Sequence, residues 1–300
     1  MTDDSDRITL AHGNGGRFMR ALIRDVFARH FENPDLDISA DAARLPAEDG
    51  PLVVTTDGFI VDPLEFPGGD IGSLAVHGTV NDLAVSGATP RWLTLSFLIE
   101  EGFAMERLNR IAASIGRAAR ACGVSIVAGD TKVVPRGQGG GLYLTASGIG
   151  VQNPNIVLGM AQIRPGDCLL VNGPVGDHGT AVLLARHAFG LQGDLRSDSA
   201  SVLPYTRAAL AITGLRFMRD PTRGGIATVA NEISLETGLR VVLDEAALPL
   251  RDQVRGVCDM LGYDPLYLAC EGRVVAVVDP AHAAALLAAC ANDPAVSRPR

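Results

Sequence analysis

The sequence predicts an α/β protein, built of α+β layers in two domains, on three observations. Its 300 residues are 47% hydrophobic and 5% aromatic, apolar material for a sizeable core in each of about two domains. Short β-branched runs alternate with longer stretches of helical periodicity across short connections, the pattern of packed strand and helix layers. Both halves also contain an apolar strand that runs into a glycine loop and then a helix.

Taken in order, RITLA (7–11) reads as a short strand, His12–Gly16 as a glycine loop, and 17–31 as a helix with Phe18, Leu22, Val26 and Phe27 on one stripe. PLVVTT (51–56) is a β-branched strand stopping at Asp57, and the following stretch is loop, broken by Pro63 and Pro67. A helix is predicted from Ile71 to Ser86, with Ile71, Leu74, Ala75, Gly78, Asn81, Asp82 and Val85 sharing one inward face. RWLTLSFLI (91–99) reads as a buried strand. The helix 105–122 turns Met105, Leu108, Ile111, Ala112, Ile115 and Ala119 inward and is closed by Gly123. VSIVA is a strand ending at Gly129 and Asp130, and LYLTASGIGV (142–151) another. The Asn, Pro and Gly that follow place the domain boundary at 155, giving domains 1–155 and 156–300. In the second domain CLLV is a strand entering the loop Asn172–Gly179, with TAVLLARHAF (180–189) as the helix after it. FMRDPTRGG leads into a helix capped by Gly238, RVVLDE (240–245) is a strand, LYLACEGRVVAVVD is two strands about the Glu271–Gly272 turn, and AAALLAACA (283–291) is a packed helix.

A net charge of -8 with no Lys/Arg-rich block argues against nucleic-acid or anionic-membrane binding. The opening MTDDSDR lacks the basic and apolar regions of a leader, and no apolar run reaches the ~20 residues of a spanning helix. A cytoplasmic protein is expected. Cys122, Cys168, Cys258, Cys270 and Cys290 are widely spaced and odd in number, which reads as reduced, buried thiols rather than a disulfide framework or zinc knuckle. The usual phosphate-loop, dinucleotide, zinc-protease and serine-hydrolase motifs are absent. His12, His77 and His178 lack metal-site spacing and are expected as hydrogen-bonded histidines.

Within TVNDLAVSGATP (79–90) an Asn and an Asp interrupt an apolar, small-residue segment. A buried, unpaired carboxylate costs several kcal/mol, so Asp82 needs donors or a cation. Two apolar strands end the same way, at Asp57 and at Asp130, where α/β folds place ligand-binding groups. Three converging acids repel unless Mg²⁺ and a polyphosphate join them. Asp41 is a fourth candidate, with a helix N-cap as its alternative role. Lys132, the chain's single lysine among 26 basic residues, lies two positions past Asp130, in GDTK; a compact ammonium is a point charge for phosphate. The loops His12–Gly16, Asn172–Gly179 and Thr222–Gly225 each precede a helix and offer backbone N–H groups to phosphate oxygens. Arg223 is either a phosphate clamp or an ion-pair partner of Asp220. Glu271 alone is an ordinary turn residue.

HGNGG, TTDGFIVDP, PGGDIG, TVNDLAVSGATP, VAGDTKVV, NGPVGDHG, DPTRGG and CEG occur in this order over nearly the whole chain. Together they resemble the HypE family of hydrogenase maturation factors. TVNDLAVSGA with AGDTKVV is specific; DPTRGG is shared more widely. The family groups with aminoimidazole ribonucleotide synthetase, selenophosphate synthetase and thiamine-phosphate kinase. The resemblance therefore implies a PurM-like fold, with an N-terminal ATP-binding domain that forms a homodimer through a β-barrel and a C-terminal α/β domain. It implies ATP and Mg²⁺, and dehydration of a carbamoyl group on a C-terminal cysteine to a thiocyanate, the source of cyanide for nickel-iron hydrogenases. By motif, Lys132, Glu271 and Asp82 would be catalytic. Asp57, Asn81, Asp130, Thr131, Gly13, Gly15, Gly16 and Arg223 would bind the nucleotide, and Asp41, Asp57, Asp82 and Asp130 the metal. The carbamoyltransferase HypF and the HypC–HypD complex are the implied partners. The family's Pro-Arg-Ile-Cys tail is not matched: the last residues here are SRPR, and Cys290 lies in an apolar run. The chain as given is thus expected to bind ATP without making thiocyanate on itself. Two alternatives stand: another enzyme of the superfamily, such as a selenophosphate synthetase, though no Cys lies near the N-terminal glycine loop, or a nucleotide-binding scaffold without turnover.

Overall fold

The computed structural model describes residues 6–186 and 194–291, which fall into two compact units. The first comprises Met1–Leu64, Asp70–Thr79 and Pro90–Val151, the second Glu65–Gly69, Val80–Thr89 and Gln152–Arg300.

In the first unit the β-branched and aromatic runs form a four-stranded sheet in the order Leu52–Phe59, Leu142–Gln152, Ala88–Glu100, Ser125–Val134. The first pair is antiparallel, from Leu52 opposite Val151 to Phe59 opposite Leu144. The last pair is parallel, with a register shift between Leu93 and Thr94. Among the described residues this sheet is open, with the first and last of these strands at its edges. Two strands run further than the sequence suggests: Asp57 and Asp130 lie within strands, not at their ends. The partner strands supply the reason, since Gly58 still pairs with Thr145, and Ser96 to Glu100 pair with Asp130 to Val134. Pairing overrides the local turn signal.

The helix Met105–Cys122 buries Leu108, Ile111, Ala112, Ile115 and Ala119, as its periodicity predicts. It ends at Gly123, whose φ of 71° and N–H to the Ala119 carbonyl make a left-handed cap. A Cβ on Gly116 would collide with the His30 carbonyl, so the N-terminal helix can approach only at a glycine. That helix, Gly16–Phe31 with a π-helical middle at Ile23–Ala28, buries Leu22, Val26, Phe27 and Phe31. Phe18, placed on the inward stripe by the sequence, is 48% exposed; it lies beside His12, with the Arg17 guanidinium 5.2 Å from its ring centroid. The strand expected at 7–11 is a single bridge from Arg7 to Ala104 followed by a 3₁₀ turn, Leu10–His12. His12 Nδ1 accepts from the Thr9 N–H at 3.1 Å, and that cap turns the chain out of extension. No helix follows Asp41, so the N-cap alternative is overturned; Asp37 instead holds the local turn through Ser39.

The helix Ile71–Val85 has no single inward face. Ile71, Leu74, Ala75, Val76, Val80, Leu83, Ala84 and Val85 are all buried, so the wheel argument that aimed Asp82 inward gives way to burial nearly all round. Burial pulls the His77 imidazole down to about 4. A depressed histidine contributes stability that is complete above its ordinary value of 6.5 and lost as pH falls through about 4. Denaturant unfolding across that window is expected to show this loss, and His77→Gln is expected to lessen its slope.

The second unit carries a three-stranded antiparallel sheet with Val275–Val278, buried throughout, between Cys168–Val171 and Leu215–Arg219. The helix Gly225–Thr237 packs Ile226, Val229 and Ile233 with Val175, Phe217, Val275 and Val277 in one core cluster. Two expected strands are absent. Residues 240–244 pair with no strand and Glu245 opens a 3₁₀ turn, Glu245–Ala247, with Val242 72% exposed. The run 266–272 holds only a 3₁₀ turn, Pro265–Tyr267, before the chain enters the sheet at Val275. The helix Ala283–Ala291 forms, but Leu286 is buried while Leu287 is 51% exposed, so it is less packed than expected. The Cys290 side chain, residues 187–189 of the predicted helix and the terminal SRPR lie outside the described residues. Among the described residues no helix is long and apolar enough to cross a membrane.

Candidate functional site

In the first unit the structure gathers several of the nominated residues. The glycine loop lies against the strand Ser125–Val134 so closely that a Cβ on Gly13 would stand 2.6 Å from the Val133 nitrogen. Gly15 and Gly16 both have φ of 77°, a left-handed backbone that only glycine adopts cheaply. Beside this loop Asp130 Oδ1 accepts from the Thr131 N–H at 2.8 Å and from Lys132 Nζ at 2.8 Å. The Lys132 ammonium thereby holds the Asp130 carboxyl below the usual range. Asp130, Thr131 and Asp41 line one cavity of about 290 Å³, whose other walls include Phe27, Phe31, Phe97 and Met19. The chamber is apolar, with acids and an adjacent ammonium. Asp57 sits on the opposite edge strand, half-buried, and does not line the cavity.

The Asp130–Lys132 pair is a surface pair, with side chains 51% and 60% exposed, and such pairs add little stability. Lys132→Met is therefore expected to change the unfolding free energy by less than about 0.5 kcal/mol, while carboxyl-resonance titration finds the Asp130 pKa raised.

The second unit holds the other nominated residues. Asp82 is half-buried on the last turns of the helix Ile71–Val85, and Arg223 is exposed in the Thr222–Gly225 turn. Gly224 and Gly225 there have φ of 72° and 59°, and a Cβ on Gly225 would overlap the Leu266 carbonyl. Asn81 is buried to 1% and uses its whole amide within the unit. Its Nδ2 donates to the carbonyls of Ala200 at 2.9 Å and Glu271 at 3.1 Å, and its Oδ1 accepts from the Val202 N–H at 2.9 Å. Glu271 is half-buried.

Beneath Glu271 lies a buried polar spine that the sequence reading missed. Asp198 Oδ1 accepts from the Glu271 N–H at 3.1 Å, and its Oδ2 lies 3.4 Å from Arg273 Nε. Asp177 pairs with Arg251 at 2.9 Å. Burial pushes the Asp177 carboxyl up, opposed by Arg251 and, less, by Arg273. His178, drawn down by burial, bonds Ser197 Oγ at 2.9 Å, and His12 bonds Thr9, so both are hydrogen-bonded histidines as expected. A charged Arg273 opening the apolar run VVAVV was the available signal, since a charge there implies a buried partner. Cys122, Cys258 and Cys270 are buried free thiols. Burial drives the Cys270 thiol well above its ordinary range, which makes it inert. Among the described residues no three His, Cys, Asp or Glu side chains are grouped as a metal centre.

Matches to family models define the class: the AIR synthase related protein N-terminal domain over residues 39–152 and the corresponding C-terminal domain over 164–297. Carbamoyl dehydratase HypE of Cupriavidus necator is 48% identical over 292 residues, covering 97% of this chain and 83% of that one. A crystal structure of the hydrogenase maturation protein HypE in complex with ATP superposes with a TM-score of 0.93 at 45% identity, over 96% of this chain and 86% of that one. The HypE chain of a HypE–HypF complex gives 0.80 at 42% identity, over 92% and 90%. The chain belongs to the HypE family, with its two-domain PurM-like fold.

Proposed function

We propose that this protein dehydrates an S-carbamoyl cysteine to a thiocyanate at the expense of ATP, in the maturation of nickel-iron hydrogenases. The reading is carried by the apolar chamber lined by Asp41, Asp130 and Thr131, with Lys132 and the glycine loop beside it, in a chain whose relatives include a HypE bound to ATP. The γ-phosphoryl passes to the carbamoyl oxygen and ADP leaves. The amide nitrogen then gives up both protons, the C–O bond breaks, and phosphate departs with the oxygen, leaving S–C≡N.

Lys132 places its ammonium against the phosphoryl oxygens, and the N–H groups of Gly15 and Gly16 hold the phosphate chain. Glu271 takes a proton from the amide nitrogen. Mg²⁺ takes one or two carboxylates and completes its shell with phosphate oxygens and water, so Asp41 and Asp130 in one chamber suit it; Asp57 and Asp82 are the further acids assigned by resemblance. When bound, it would neutralise the polyphosphate. Isothermal calorimetry with ATP and Mg²⁺, and mass spectrometry of a peptide ending in S-carbamoyl cysteine, test the reading. Heat of binding and loss of one water from the peptide are expected; an unaltered peptide mass would overturn it.

A cytoplasmic homodimer working with HypF and the HypC–HypD complex completes the proposal. Support for the dimer comes from the edge strand, where Leu52 and Val54 are 61% and 66% exposed, apolar surface that a second copy would cover. Val54→Glu is expected to shift sedimentation from dimer to monomer.

A further inference from the structure

Residues 270–274 are not a strand, yet their backbone is held almost group by group, largely by buried side chains. The Cys270 N–H bonds the Pro221 carbonyl at 3.1 Å. The N–H groups of Glu271 and Gly272 both donate to the Asp198 carboxylate, at 3.1 and 3.4 Å. The Glu271 carbonyl accepts from Asn81 Nδ2 at 3.1 Å, and the Val274 N–H donates to Asn172 Oδ1 at 2.9 Å. Gly272 leaves no room for a side chain, because a Cβ there would collide with the Asp198 carbonyl.

This is a costly way to fix a loop. Asp198 and Asn81 are 3% and 1% exposed, and burying such groups is unfavourable until every bond is made. An ordinary surface turn satisfies its backbone with water or its own residues. Here both sides of the Glu271–Gly272 peptide unit, and the N–H of Glu271 before it, are gripped by side chains from distant parts of the sequence, while the Glu271 side chain remains half-buried. Asn81 also directly precedes Asp82. One helical turn therefore presents one nominated acid and grips the backbone of the other.

We infer that Asn81 and Asp198 are positioning residues, which hold Glu271 by its carbonyl and its N–H so that its carboxylate meets the substrate in one geometry. The inference rests on the reading of Glu271 as the base. It also gives Asn81 a role other than nucleotide contact. A catalytic group displaced by about 1 Å loses on the order of 100-fold in rate, so the clamp acts on kcat and leaves the nucleotide site alone.

The test uses the full chain, ATP with Mg²⁺ and a peptide ending in S-carbamoyl cysteine. Asp198→Ala is expected to lower kcat about 100-fold with the KM for ATP unchanged. Asp198→Asn, whose amide oxygen still accepts from one of the two N–H groups, is expected to recover part of it. Asn81→Ser is expected to lower kcat as Asp198→Ala does. In a Glu271→Gln background none of these changes should lower the residual rate further, since they act through Glu271. Should Asp198→Ala not fold, Asp198→Asn decides, with ATP affinity as the check of folding: full kcat overturns the inference. An equal loss with and without Glu271 also overturns it, by making the clamp merely structural. If Glu271→Gln is itself fully active, the base assignment falls and this inference with it. An inactive Glu271→Gln beside fully active Asp198 and Asn81 variants removes the inference alone.

Discussion

Glu271→Gln is expected to lower the rate of thiocyanate formation by about 100- to 10,000-fold, the range a general base contributes, while ATP affinity and the unfolding midpoint stay near wild type. The substitution is nearly isosteric, and the contacts that fix the loop are made by the backbone of Glu271. What disappears is proton acceptance. Lys132→Ala is expected to cost about 100- to 1,000-fold by a different route, the loss of a cation where phosphoryl charge develops. The surface position of its pair with Asp130 predicts no accompanying loss of stability. Single-turnover mass spectrometry of the carbamoyl peptide measures both; unaffected turnover would take the residue concerned out of the mechanism.

Arg273→Met is expected to be the most destabilising single change proposed, at about 3–5 kcal/mol near neutral pH. Arg273 is 3% exposed. Its guanidinium donates to the Pro174 carbonyl at 2.7 Å and the Gly272 carbonyl at 3.2 Å, and lies 3.4 Å from Asp198 and 3.9 Å from Asp177. Methionine fills much of the space but leaves buried carboxylates short of a cation. The pH dependence has a definite sign. Asp177 is already raised by burial, and Arg273 is one of the charges opposing that rise. A raised carboxyl contributes stability that is present below its unfolded pKa and lost as pH rises through the folded one. Without Arg273 the folded value moves higher still, so the deficit should be smaller near pH ~5 than near pH ~8. Urea unfolding at the two pH values checks this; a deficit independent of pH would mean that packing, not charge, dominates.

Much of the architecture was legible because its signals are local. The 3.6-residue periodicity of 105–122 and the glycine that ends it gave the helix and its cap, and the three glycine loops do precede helices. The errors arise where tertiary partners override local preference. RVVLDE has strand composition but no neighbour to pair with, whereas GDTK reads as a strand end and is carried on by its parallel partner. LYLACEG fails as a strand because its backbone is spent on Asp198 and Asn81, residues 73 and 190 positions away from Glu271, and no spacing rule connects them. At the candidate site, Asp41, Asp130 and Thr131 were nominated from motif and neighbourhood and line one chamber, while Lys132 pairs with Asp130 and Gly13 packs against Val133. Asp198, Asp177 and Arg273 were missed because a buried charge network has no periodicity to betray it.

The exposed ammonium of Lys132, the chain's single lysine, has a consequence for labelling and for damage. Acylating metabolites, amine-directed dyes and lysine-specific proteases meet one side-chain target in the whole sequence, and that target is the partner of Asp130, a residue of the chamber wall. A stoichiometric tag would therefore sit at a single known side chain, and acetylation there would take away the ammonium that pairs with Asp130.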